Sequence, residues 1–185
     1  MADKREGWFF WASMAVIVIF VILLFFYFAM FKFSLTGFAF EESFANPADS
    51  MTAEQVAESF NETFVEYLLY SIKANELHNP PLSSDTPKLE ILVGGDVYNA
   101  VVVDGVIDAG EGPLKNKDVV IRTSKIEAAK MIKDRTYVVE SFREELSVIE
   151  LTAGKTTLFS KGYLNLYTEL TGKSITGNVI RIYLG

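Results

Sequence analysis

Cysteine is absent from the 185 residues. Its absence excludes disulfides, thiolate nucleophiles and cysteine-based metal sites. It does not fix the compartment, because a disulfide-free domain can sit on either side of a membrane. Histidine occurs once, as His78, beside Asn79-Pro80-Pro81. A single histidine in a proline-rich loop gives no Ser/His/Asp set and a poor metal centre; a solvated loop side chain is the plainer reading. Positive charge is also scarce, with 17 Lys and Arg against 24 Asp and Glu, a net charge of −7. Residues 1–33 hold Lys4, Arg5 and Lys32 against Asp3 and Glu6, a net +1, which leaves −8 for the remainder. So acidic a remainder lacks the basic footprint a nucleic-acid partner requires. It also makes no electrostatic clamp on anionic headgroups.

Charge is missing altogether from Trp8 to Phe31. As a helix this run reaches roughly 36 Å, enough to cross a hydrocarbon core of about 30 Å with some tilt. Trp8 and Trp11 at its start, Tyr27 near its end and Lys32 just after are residue types that settle in the headgroup zone. The run is too long for a cleaved signal peptide and too uniformly apolar for a core helix. Lys4-Arg5-Glu6-Gly7 loosely resembles a prepilin processing site, but no acidic residue follows Gly7 until Glu41. The expected organisation is a tail (1–7), a single-pass transmembrane helix (8–33), a linker (34–51) and one domain (52–185). The bilayer is thus the first expected partner. Lys4 and Arg5 outnumber Lys32, which favours a cytoplasmic N-terminus and an extracytoplasmic domain.

Thr52 and Gln55 form a capping-box pattern. Val56, Phe60, Phe64, Tyr67, Leu68 and Ile72 follow at helical spacing, and Glu54, Glu58, Glu62 and Glu66 line another stripe. The spacing predicts one helix from Thr52 to about Asn75, with the sequon Asn61-Glu62-Thr63 in its middle. After a loop to Pro87, strands are expected at 89–93, 97–103 and 106–109, with Asp104-Gly105 a type I′ hairpin signal. A fourth strand is expected at 118–122. Ser124 and Glu127 form a second capping box before a short helix. A helix over 137–146, a strand over 147–152, a helix over 155–170 and a last strand over 179–184 complete the pattern. This is an α+β domain with a mainly antiparallel sheet covered by helices. Gly154-Lys155-Thr156-Thr157 sits between strand and helix, as a phosphate-binding loop would. The glycine such a loop needs five positions earlier is Ile149, so no nucleotide or other cofactor is implied.

The order of YNAVVVDGVIDAG, KDVVIRTS, EAAKMI and SVIELTAGKTTLFSKGYLNLYTEL is similar to that of the sterol-carrier-protein-like lipid-binding domains. Asp118-Val119-Val120-Ile121 and Ser124 to Met131 look like the family's strand and capped helix. The chain departs from the family at Leu146-Ser147, in the extra strand at 179–184 and in the membrane anchor. The resemblance implies a sheet and helices around an apolar tunnel for acyl chains or sterols. Strand alternation puts Tyr98, Ala100 and Val102 on one face, and Val119 and Ile121 likewise. Leu158, Phe159, Leu166 and Leu170 are the helical residues expected to close the other side. An ordinary core is the competing reading of the same nine residues. The expected function is non-catalytic binding of a lipid or other apolar ligand near the bilayer. Its rival is a structural subunit of a membrane or envelope assembly with a filled core and no ligand.

Overall fold

The computed structural model describes residues 14, 16–23 and 45–174. The chain divides into two units, Met1–Phe44 and Ala45–Gly185. In the first, residues 16–23 are helical and exposed. Among the described residues no helix is long and apolar enough to cross a membrane. Most of the expected span, the linker up to residue 44 and the expected strand over 179–184 lie outside the described residues.

The second unit is α+β. Helices α1 (Ala53–Glu58) and α2 (Glu62–Ser71) and a 3-10 turn (Ala74–Glu76) precede strands β1 (Lys88–Val93), β2 (Asp96–Val103), β3 (Val106–Glu111) and β4 (Val119–Thr123). Then come α3 (Lys125–Lys133), α4 (Tyr137–Arg143), β5 (Val148–Leu151), α5 (Lys155–Ser160) and α6 (Tyr163–Thr171). The five strands among the described residues form one mixed sheet in the order β3-β2-β1-β4-β5. Among the described residues only β1 and β4 run parallel; the other neighbouring pairs are antiparallel.

Local chemistry sets the joints. Asp104 and Gly105 both have positive φ, 52° and 83°, as the type I′ turn between β2 and β3 requires. The capping box of α1 is complete, Thr52 N–H donating to Gln55 Oε1 at 2.8 Å and Gln55 N–H to Thr52 Oγ at 3.3 Å. The single helix expected from Thr52 to Asn75 is instead two. Ser59 Oγ donates back to the Gln55 carbonyl, and Asn61 Oδ1 accepts from Thr63 and Phe64 N–H, starting α2 afresh. Asn61 is therefore a cap, not a mid-helix residue. The second capping box is half made. Ser124 Oγ accepts from Glu127 N–H, but the Glu127 carboxylate turns to Lys130 and Tyr137. The expected helix over 155–170 is also two, broken where Gly162 takes φ 87°. Another joint is strained. Ser83 N–H donates to the Pro80 carbonyl, closing a type II turn whose third residue, Leu82, sits at φ 62°. A left-handed conformation costs a leucine roughly 1–2 kcal/mol, which glycine or asparagine would largely avoid.

One face of the sheet carries the core. Leu89 lies opposite Ala100 and Val119, and Ile91 opposite Tyr98 and Ile121. Leu68 and Leu69 of α2, Met131 and Ile132 of α3, Leu158 of α5 and Tyr163 of α6 are buried in the same cluster. Among the described residues, the buried members of that cluster fall within residues 48–170. The other face carries charge. Glu90 is paired with Lys117 and accepts from Leu114 N–H, so the loop after β3 folds over it. Arg122 bonds Glu150 at 2.8 Å.

Candidate functional site

Sheet register and helix packing bring eight of the nine expected apolar residues together. Tyr98, Ala100, Val102, Val119, Ile121, Leu158, Leu166 and Leu170 are 0–6 % exposed and belong to one continuous cluster. Phe159 is not brought in; it stands 75 % exposed. Adjacent helical residues point about 100° apart, and Leu158 takes the inward direction on α5. Tyr98 keeps its polar end satisfied within the cluster, its hydroxyl donating to the Phe60 carbonyl at 3.2 Å. The Phe60 ring meets it edge-on at 5.9 Å between centroids. Burial pushes the Tyr98 phenol above its ordinary range, so it stays neutral.

A polar cluster at the end of this face has no counterpart in the sequence expectations. Lys161 is 1 % exposed. Its ammonium donates to Asp118 Oδ2 at 2.9 Å and to the Thr86 carbonyl at 2.9 Å, and pairs with Asp85 Oδ2 at 2.8 Å. Asp118 Oδ2 also accepts from Lys88 N–H at 2.8 Å and lies 3.2 Å from the Tyr163 hydroxyl. Burial, followed by the Asp118 charge, pushes the Tyr163 phenol far above its ordinary value. The lysine at Asp85 holds that carboxyl below the usual range. With three acceptors on one ammonium the cluster is internally satisfied. It ties the α5–α6 joint to the starts of β1 and β4, a positioning task. The sequence signal for it is Gly162, which breaks a helical pattern at the residue after Lys161.

Among the described residues, two of the hollows border the core. The larger, of about 350 Å³, is lined by Ala53, Lys130, Lys133, Asp134 and Tyr137. Ala53 and Tyr137 both pack on the core cluster, so this groove reaches the cluster's edge. Lysine cations stand at its rim. Lys130 pairs with Glu127 at 2.6 Å and lies 5.6 Å from the Tyr137 ring centroid. Lys133 donates to the Ala48 and Asp49 carbonyls. The smaller hollow, of about 80 Å³, includes Leu77, His78, Gly162 and Leu166 in its lining. Among the described residues no group of three or more His, Cys, Asp or Glu is placed to hold a metal ion.

No protein-family profile and no curated protein matches the chain. Among solved structures it is similar to UbiJ-SCP2, a ubiquinone synthesis protein, at 14 % identity and a TM-score of 0.35, over 60 % of this chain and 92 % of that one. It is also similar to Sterol Carrier Protein 2 Like 2 from Aedes aegypti, at 19 % identity and a TM-score of 0.30, over 54 % of this chain and 93 % of that one. A third likeness is to a conserved hypothetical protein from Thermus thermophilus, described as possibly a sterol carrier protein, at 16 % identity and a TM-score of 0.32, over 60 % of this chain and 83 % of that one.

Proposed function

We propose that the second unit binds a lipid or other apolar ligand without catalysis, and that residues 8–33 hold it at the bilayer that supplies the ligand. The observation that carries this reading is the groove beside α1, α3 and α4, two of whose lining residues belong to the edge of a continuous apolar cluster. An acyl chain entering there would extend along the cluster by displacing short helices rather than strands. Each methylene taken out of water contributes roughly 0.8 kcal/mol, so a long chain binds without a charged partner. The bilayer half of the reading rests on the uncharged run Trp8–Phe31, within which residues 16–23 are helical with apolar side chains exposed.

The second reading is a module that contacts a membrane or envelope assembly and holds no ligand. The near-complete burial of the eight clustered residues favours it, because a core packed to that degree leaves a ligand no room without rearrangement. Titrating a fluorescent fatty acid into residues 45–185 separates the two. Saturable enhancement, competed by an unlabelled fatty acid, is the result expected for a ligand site. A flat titration leaves the assembly reading in place.

A further inference from the structure

Two apolar side chains stand out from the second unit on neighbouring segments. Leu82 is fully exposed and Phe159 is 75 % exposed. The loop carrying Leu82 is stapled at both ends to Lys161, two residues beyond Phe159. His78 N–H donates to the Lys161 carbonyl at 3.3 Å, and the Lys161 ammonium donates to the Thr86 carbonyl at 2.9 Å. Leu82 also holds a left-handed φ of 62°. An apolar side chain both exposed and placed where asparagine or glycine is locally preferred breaks two rules at once, which is the pattern of a functional tip.

The surrounding charge is equally uneven. Leu77 to Ser84 contains no charged residue, and Lys155 to Thr168 contains no Asp or Glu, in a chain with 24 of them. Asp85, which ends the first stretch, is neutralised by Lys161 and Lys88. The distance to a bilayer is no obstacle. Residues 32–44, at most roughly 3.3–3.6 Å each, allow the second unit to reach on the order of 45 Å from the end of the uncharged run.

We infer that Leu82 and Phe159 form a bilayer-docking tip, inserting into the interfacial zone of the membrane to which the chain is tethered. The inference rests on the bilayer half of the proposed function and is independent of the ligand half. An apolar tip whose bordering carboxylate, Asp85, is paired with Lys161 and Lys88 suits a zwitterionic surface, where an acidic domain meets no strong repulsion. The Lys161 bonds hold the two segments that carry these side chains together.

The cysteine-free chain allows a clean test. The full chain is reconstituted in dioleoylphosphatidylcholine vesicles with a nitroxide on Ser84→Cys, and on Glu58→Cys of α1 as a control. The label at 84 is expected to gain oxygen collisions and to lose collisions with an aqueous nickel chelate relative to the label at 58. Adding Leu82→Asn should reverse that shift. The thermal midpoint of the second unit should hold or rise, because asparagine accepts the left-handed turn position. An aqueous label at 84 in a chain that floats with the vesicles overturns the docking tip alone. A label at 84 shielded from both collision partners points to a protein neighbour and also overturns it. A chain that does not float overturns the tether and the tip together.

Discussion

The two faces of the sheet are made by the same strands and behave as opposites. On the inner face Leu89, Ile91, Tyr98, Ala100, Val119 and Ile121 meet helices and exclude water. On the outer face a buried Glu90 pairs with Lys117, while Arg122 and Glu150 meet each other and solvent. Alternation along each strand produces both faces from one sequence. The contrast shows where ion pairs matter. Arg122–Glu150 sits with side chains about half and one-third exposed, whereas Lys161–Asp118, at the end of the inner face, is almost entirely buried.

That contrast gives an ordered set of mutational effects. Lys161→Ala leaves Asp118 buried without its cation and should cost about 3–5 kcal/mol in urea unfolding of residues 45–185. Replacing both partners, Lys161→Met with Asp118→Leu, should recover part of that loss, since two apolar groups of similar size leave no stranded charge. A double replacement as damaging as the sum of the two single ones would contradict the pair as drawn. Ile121→Ala on the inner face should cost about 2–5 kcal/mol by opening a cavity. Arg122→Ala, the next residue on the opposite face, should cost no more than about 1 kcal/mol. Equal losses at 121 and 122 would break the distinction between the faces.

The smallest effect expected is a pH dependence from the outer face. Burial raises the Glu90 carboxyl, but the Lys117 ammonium and the Leu114 N–H outweigh it and hold the group below its ordinary value of 4.5. A carboxylate lowered on folding stabilises the fold fully above that ordinary value. Its contribution is lost as the pH falls through the lower folded value. Urea midpoints measured on acidification should therefore fall less steeply in Glu90→Gln than in the parent chain. An unchanged slope would remove Glu90 from the account.

Much of this fold is legible in the sequence because its signals are local. Asp104-Gly105 announces its turn, and the alternation of β2 and β4 announces which residues share a face. The helix break at Ser59–Asn61 is not legible, and the glutamates show why. Glu54, Glu58, Glu62 and Glu66 keep four-residue spacing straight across the joint at Ser59–Asn61, so periodicity alone sees one helix. Asn61 reads as a sequon, whereas its physical task is to cap α2. The parallel pairing of β1 with β4 depends on contacts far apart in sequence and leaves no local mark. Among the candidate residues, alternation places the strand members correctly on the core side. Adjacent apolar residues on one short helix, Leu158 and Phe159, cannot both face inward. Lys161 looks like a surface lysine because its partners Asp118 and Asp85 lie far away in the sequence.

The most direct test of the account is native mass spectrometry of residues 45–185, purified from lipid-containing cells without detergent. A species heavier than the bare chain by a lipid-sized mass, released on denaturation, is the predicted result, and the mass would define the ligand class. A bare chain that remains bare after incubation with fatty acids and phospholipids would contradict ligand binding, and would leave the filled core as the scaffold of a contact surface.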